Sequence, residues 1–362
     1  MSSIVATSFA RRDFIRCSAL GGLALCGALP GQTNPKDSAK IRVAQIGVRH
    51  SHAAGKMAAM RSLPELCEVI CVAEKNTERR AQAEEEKAYA GLRWLPEEEI
   101  LADTSIRMIA VETDIPDLTA TALRCLRAGK HIHLDKPGSA DHAAFRQMRQ
   151  EAEERGLLVQ MGYMLRHNPA FELLFRAVRE GWLGEVTGID ASMGKLADAD
   201  GRREIGRYPG GGMFELACHL IDAVVTVLGP PQSAHGFSAP TQDDGVKDNQ
   251  AAVLHYPRAL AMVRCHHADP FGGPHRFFRV IGSKGTLEIA PLESGRITLS
   301  LAEARGEYRQ GAQTFQMPVP AGRYDGEFRA LFAAISENKT LLWNAAHDIA
   351  VHDTVSKVSV ER

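Results

Sequence analysis

Short apolar runs, each closed by a polar or glycine position, recur along the first half of the chain. Ile41 to Ile46 ends at Gly47, Val69 to Ala73 at Glu74, Met108 to Val111 at Glu112, and His131 to Leu134 at Asp135. Between them lie stretches that read as helices: Ala53 to Ser62, Thr77 to Tyr89 and Leu118 to Arg127. Strands that are apolar on both faces and alternate with helices predict a parallel sheet, since each crossover lays a helix over it. After Arg166 the pattern changes. Helical segments at Ala170 to Gly181 and Met213 to Leu228 give way to β-rich runs at Ala251 to His255, Ala259 to His266, Phe277 to Ile281, Thr286 to Ile289 and Ile297 to Leu301. Turns such as Tyr256-Pro257-Arg258 join them, which predicts a mostly antiparallel sheet. Helices from Asp325 to Glu337 and from Asn344 onwards close the chain, the last returning to the first domain.

The fold class is therefore α/β: a Rossmann-type, doubly wound parallel sheet over residues 39–162, then an α+β domain with a mostly antiparallel open sheet over 163–362. Residues 1–38 stand apart. Arg11-Arg12-Asp13-Phe14-Ile15-Arg16 precedes a small-residue apolar stretch, Cys17 to Leu29, too short to serve comfortably as a mature membrane anchor. The order of these parts resembles a twin-arginine export signal, which implies a periplasmic, exported protein without a stable span in the mature chain. Pro30, Gly31, Asn34, Pro35 and Lys36 read as a linker. Leu25 is a poor fit for the small residue that a lipidated Cys26 would need before it.

The chain has 362 residues, 44% apolar and 24% charged, which suits a soluble globular protein with room for two cores. A formal net charge of -1 gives no electrostatic case for nucleic acid. Glu84-Glu85-Glu86 and Glu97-Glu98-Glu99 read as solvated helix faces. Beyond the leader, Cys67, Cys71, Cys125, Cys218 and Cys265 are odd in number and unpaired in spacing, so they are expected as buried small hydrophobes.

The chemistry-bearing residues cluster at strand ends, where open α/β sheets place their ligands. Asp135-Lys136-Pro137 follows the fourth apolar run, so Lys136 is either a tuned ammonium in a cleft or a surface Lys paired with Asp135. Gly47-Val48-Arg49 opens the first turn, but only the first glycine of a G-x-G-x-x-G fingerprint is present; Arg49 can offer its guanidinium to a phosphate in place of bare amides. Glu74 lies 27 residues after Gly47, near the spacing at which an acid accepts from a ribose 2′-hydroxyl, favouring NAD over NADP. In Gly210-Gly211-Gly212-Met213-Phe214-Glu215, the helical continuation puts Glu215, His219 and Asp222 at i, i+4 and i+7, on one face. His266, His267, His275 and Cys265 lack metal-ligand spacing, and adjacent strand residues face opposite ways, so no metal site is expected.

Together these segments resemble, in order from about Ile41 to the C-terminus, the glucose-fructose oxidoreductase, inositol dehydrogenase and MocA (Gfo/Idh/MocA) family, with Asp135 and Glu215 where that family commonly has Glu and Asp. The resemblance implies a catalytic set of Lys136, His219, Glu215 and Asp222. His219 would be general base, Lys136 would polarise the substrate oxygen, Glu215 would orient the imidazole and Asp222 would support the helix face. It implies cofactor contacts from Gly47, Val48, Arg49, Glu74, Glu112, Thr113, Asp135 and Lys136. Tyr163 and Arg166, in the crossover Gln160 to Pro169, join Lys136 and His219 as substrate-binding candidates, interdomain packing being the alternative for the first two.

The expected activity is NAD-dependent hydride transfer at a secondary alcohol or ketone of a sugar, sugar derivative or cyclitol. Two alternatives stand beside it: an NAD-recycling glycoside hydrolase of the same family, and a non-enzymatic sugar-binding module on a decayed scaffold, suggested by the altered glycine loop. A homodimer or homotetramer through the C-terminal sheet is the expected assembly.

Overall fold

The computed structural model describes residues 40–208 and 210–359, so the leader and its twin-arginine, linker and Cys26 readings lie outside the described residues. The first sheet gathers β1 (Ile41–Ile46), β2 (Cys67–Ala73), β3 (Arg93–Trp94), β4 (Met108–Val111), β5 (His131–Leu134) and β6 (Val159–Met161) in the order β3-β2-β1-β4-β5-β6. Every pair in it is parallel, and the order reverses between β1 and β4, which opens a crevice at their carboxyl ends. Its crossovers are α1 (Ala53–Arg61), α2 (Thr77–Glu84), α3 (Glu97–Ala102), α4 (Ile115–Arg127) and α5 (His142–Glu154). Helix α4 begins three residues before the sequence reading, because Asp114 caps it through Ile115 N and Pro116 occupies its first turn.

The second sheet has eight strands: β7 (Val186–Gly194), β8 (Ser233–Ser238), β9 (Asn249–His255), β10 (Leu260–His266), β11 (Phe277–Gly282), β12 (Gly285–Ile289), β13 (Arg296–Leu301) and β14 (Gly311–Gln316). Their order is β14-β13-β12-β11-β7-β10-β9-β8, and all neighbours are antiparallel except β7 and β10. The helices of this half are α6 (Pro169–Arg179), α7 (Ala199–Gly206), α8 (Gly211–Glu215), α9 (Cys218–Leu228), α10 (Asp325–Glu337) and α11 (Ala345–Ser359).

One apolar cluster runs through both halves, from Ala44 and Ile109 under the first sheet to Phe278 and Leu299 in the second. Helix α10 packs Phe328, Leu331 and Phe332 against Met57 and Met60 of α1, so the end of the chain closes the first domain. The five cysteines named above are all buried thiols. Among the described residues no helix is long and apolar enough to cross a membrane.

The segment expected as one helix from Met213 to Leu228 is two. The amides of Leu216 and Ala217 both reach back to Gly212 O, which ends α8 and restarts the chain as α9. Glu215 and His219 therefore do not share a continuous helical face, and the stripe inferred from i, i+4 spacing is broken at its first member.

Candidate active site

The turn after β1 is shaped by close packing. Gly47 adopts φ +89°, and a Cβ there would stand 2.6 Å from Thr113 N, so the turn after β4 leaves no room for a side chain. The turn's amides point inward: Gly47 N donates to Ala73 O, Val48 N to Glu74 Oε2, and His50 N to Glu112 O. Arg49 projects the other way. It lines a cavity of about 310 Å³ with Gly47, Glu74, Arg79, Thr113 and Asp114, at the carboxyl ends of β1, β2 and β4. It also lines a second cavity of about 160 Å³, whose walls include Asp114, Lys136, Lys195, Glu204 and Glu215. Ion pairs Arg49–Glu204 (3.0 Å) and Arg207–Asp114 (2.5 Å) tie these turns to α7 and to the residue after it.

Lys136 lies two residues past the end of β5 and is nearly inaccessible. Its ammonium donates to the backbone oxygen of Glu215 and lies 3.6 Å from Glu215 Oε1. Burial works against that charge, but Glu215 and its neighbours outweigh burial and hold the Lys136 pKa above the ordinary lysine range. Glu215 is also approached by Lys195 Nζ and His267 Nε2, each 3.4 Å from Oε2. Its burial would raise its pKa; Lys136, His267 and Lys195 instead hold the carboxyl well below the usual range, so it stays ionised.

Lys195 and His267 were not anticipated. They follow β7 and β10, the parallel pair of the second sheet, so three cationic or imidazole groups meet Glu215 from the carboxyl ends of parallel strands in both sheets. Gly212 is required beside them, since a Cβ there would lie 2.5 Å from His267 Cε1. No local motif marks Lys195; the signal lies in the pairing of β7 with β10, which is a tertiary fact.

Glu215 contacts His267 rather than His219, contrary to the orienting role expected of it. His219 is 3% exposed, packs edge-on against Tyr163 and keeps Nδ1 without a hydrogen-bond partner among the described residues. Burial first, then Lys136 and His52, lower its pKa well below the ordinary value, so it is a neutral imidazole.

Asp222 and Arg166 line neither of these two cavities; Arg166 borders a separate one of about 390 Å³ with His167 and Trp343. The Arg166 guanidinium, 1% exposed, holds Asp222 at 2.7 Å and Asp348 at 2.6 Å, and lies 4.9 Å from the Tyr163 ring and 5.0 Å from that of Trp343. His347 Nε2 lies 3.0 Å from Asp222 Oδ1, and Arg149 pairs with Asp348 at 3.0 Å. This buried cluster joins the crossover, α9 and α11. Arg166 is thus spent on architecture, and Tyr163, 2% exposed, fills the space between it and His219.

Glu112 and Asp135 also depart from the cofactor-facing role read for them. Both are fully buried and turn under the first loop. Asp135 Oδ2 lies 3.0 Å from His52 Nδ1 and 3.2 Å from His50 Nδ1, while neither carboxylate oxygen of Glu112 has a hydrogen-bond partner among the described residues. Burial above all, then Asp135, pushes the Glu112 pKa well up. Of the remaining cofactor-binding candidates, Gly47, Arg49, Glu74 and Thr113 line the larger cavity, Val48 N is taken by Glu74, and Lys136 lines the smaller one.

Residues 41–163 match the family model described as oxidoreductase family, NAD-binding Rossmann fold, and residues 171–288 match the GFO/IDH/MocA C-terminal domain. The chain belongs to the Gfo/Idh/MocA oxidoreductase family. Among relatives of this family, it is 29% identical over 196 residues to bovine trans-1,2-dihydrobenzene-1,2-diol dehydrogenase (Bos taurus), covering 52% of this chain and 57% of that one. The pig protein of the same name (Sus scrofa) is 30% identical over 162 residues, 44% of this chain and 48% of that one. The chain thus spans about half the length of these curated relatives. Levoglucosan dehydrogenase in complex with NADH and levoglucosan superposes with TM-score 0.77 at 17% identity, covering 88% of this chain and 96% of that one. A 3-ketoreductase from Actinomadura kijaniata, in complex with TDP-benzene and NADP, gives 0.71 at 21% identity, covering 88% and 97%. These structures share the fold of this Gfo/Idh/MocA chain.

The first half is an NAD-binding Rossmann domain, and the crevice fits that group in a modified way. Glu74 stands on the larger cavity where a ribose hydroxyl would meet it, whereas the inward-turned amides leave Arg49 as the charge that the first turn offers to a phosphate.

Proposed function

We propose that this oxidoreductase transfers hydride between NAD and a secondary alcohol or ketone on a sugar, sugar derivative or cyclitol. The observation that carries the reading is Lys136 at the carboxyl end of β5, lining a charged cavity of about 160 Å³ that shares Arg49 and Asp114 with the crevice. A space of that size and polarity suits one hydroxylated ring. The bound nicotinamide supplies the hydride acceptor or donor.

Glu74, Arg79 and Arg49 bind and orient the nucleotide along the crevice. Lys136, kept charged by Glu215, donates to the substrate oxygen and stabilises the alkoxide that develops there. His219, a neutral imidazole with an unpartnered Nδ1 among the described residues, is the candidate base for the hydroxyl proton, and it does not itself line either cavity. The pairs of Arg49 with Glu204 and of Asp114 with Arg207 lie beside the cavity.

Purified protein incubated with NAD and a panel of sugars and cyclitols is expected to give reduced cofactor with at least one of them. A blank across the panel, with any co-purified nucleotide counted, opposes the reading. Aryl-glycoside cleavage without net reduced cofactor would favour cofactor recycling, and absence of dinucleotide binding by calorimetry would favour a decayed scaffold.

Export by the twin-arginine route is part of the proposal, supported by Arg11-Arg12 and the following Phe14; fractionation of cells expressing the full chain tests it. Self-association through the second sheet is supported by its outward apolar side chains, Leu260 and Met262 on β10 and Phe237 on β8, each more than half exposed. Light scattering measures it.

A further inference from the structure

His50 and His52, two positions apart on the turn after β1, meet Asp135 from β5 and Glu112 from β4. The ligand-type atoms of His50, His52 and Asp135 all lie within 4.8 Å of one another. His50 Nδ1 is 3.2 Å from Asp135 Oδ2 and 3.9 Å from Glu112 Oε2, and His52 Nδ1 is 3.0 Å from Asp135 Oδ2. Ligands held tetrahedrally by a metal at 2.0–2.1 Å stand about 3.3 Å apart, so the two contacts to Asp135 are already at that spacing and the remaining groups would close by about an ångström on binding.

Hydrogen bonding fixes which atoms face inward. His50 Nε2 lies 3.2 Å from Lys136 O, a carbonyl that can only accept, so Nε2 carries the proton and Nδ1 presents its lone pair. That lone pair accepts from the His52 amide at 3.3 Å, with Asp135 Oδ2 and Glu112 Oε2 close by. Charge pairing leaves a gap: Lys56 is matched by Glu327 and Lys136 by Glu215, while no lysine or arginine among the described residues pairs with Asp135 or Glu112. Asp135 is paired with the two imidazoles, and Glu112, fully buried beside it, has no hydrogen-bond partner for either oxygen among the described residues, which is costly unless Glu112 holds a proton or a cation sits among the four groups.

We propose that His50, His52, Asp135 and Glu112 bind one divalent transition-metal ion beneath the nucleotide turn. Two imidazoles and two carboxylates form a set that suits zinc, iron(II) or manganese(II) and neutralise a double charge. The ion cross-links the turn after β1 to the ends of β4 and β5. It thereby fixes a loop that lacks the second and third glycines of the usual fingerprint, and it holds Arg49 toward the crevice. Sequence reading missed the site because the His-x-His pair lies within the glycine-loop segment, while its carboxylates come from residues 60 and more positions away. The inference does not rest on the proposed substrate or reaction.

The test is metal analysis of the full chain purified without an affinity histidine tag, followed by chelator treatment and titration with cobalt(II). About one metal per chain is expected, together with cobalt d–d absorption bands of a nitrogen- and oxygen-ligated site. His52→Gln and Glu112→Gln should each lower cobalt affinity at least about tenfold, and the added metal should raise the melting temperature of the unaltered chain more than that of either variant. Absence of both bound metal and cobalt bands in the unaltered chain overturns the proposal and leaves a cluster that shares protons instead. So does metal retained at full affinity by both variants, which places it elsewhere. The cobalt spectrum of the unaltered chain decides the matter even where a variant does not fold.

Discussion

Arg49, on the turn that follows the first strand, and Glu204, on helix α7 of the second half, meet at 3.0 Å where the two cavities adjoin. The guanidinium is the one side-chain charge that the altered nucleotide turn presents to the crevice, and Glu204 holds it there.

Arg49→Ala should therefore raise the KM for NAD about tenfold or more, as loss of one charge-assisted contact worth about 1.5–3 kcal/mol requires. The pair is about a third exposed on each side, so screening leaves it worth roughly 0–1 kcal/mol to stability and the melting temperature should hardly move. Steady-state kinetics and a thermal melt on the same sample read both.

Lys136→Met should lower kcat about 10²–10³-fold while NAD still binds, because the ammonium acts on charge that develops only during hydride transfer. Glu215 keeps Lys195 and His267 as partners, so circular dichroism should show an intact fold. Unchanged turnover would remove Lys136 from the chemistry.

Glu74→Ala should reduce the preference for NAD over NADP about tenfold. The carboxylate now faces the larger cavity and is held by Val48 N, Asn76 N and Arg79; its removal frees Arg79 to meet a 2′-phosphate. The ratio of kcat/KM for the two dinucleotides is the measurement.

Asp222→Asn should destabilise the fold by about 3–5 kcal/mol, since it leaves a buried guanidinium with one carboxylate fewer. Burial alone would raise the Asp222 pKa, but Arg166 and His347 bring it down from 3.8 to about 2. A group with a depressed folded-state pKa contributes stability that is fully present above its unfolded value and is lost as pH falls through the folded value. Denaturant midpoints of the unaltered chain should thus drop between about pH 4 and 2, and the Asn variant should lack that component of the decline.

The strands of the first domain and their closing residues were legible because parallel strands are apolar on both faces and end at turns, as Ile46-Gly47 and Leu134-Asp135 do. Lys136 followed from the same logic. The role of Arg166 did not, because a guanidinium near a domain crossover reads equally as a ligand contact or a clamp, and only Asp348, 182 positions later, decides between them. Glu215 was assigned to His219 on the assumption of an unbroken helix. The break at Leu216, set by the paired amides on Gly212 O, sends it instead to Lys195 and His267. Periodicity cannot announce a two-residue interruption inside an otherwise helical stretch.

Lys56 of α1 is completely buried, and its ion partner, Glu327, comes from 271 positions further along. Until α10 has been made, the nucleotide-binding half lacks both the carboxylate that pairs with Lys56 and the apolar side chains that cover Met57 and Met60. Its completion therefore waits for α10, and a gene fragment that stops before that helix should yield an insoluble product rather than a free-standing nucleotide module.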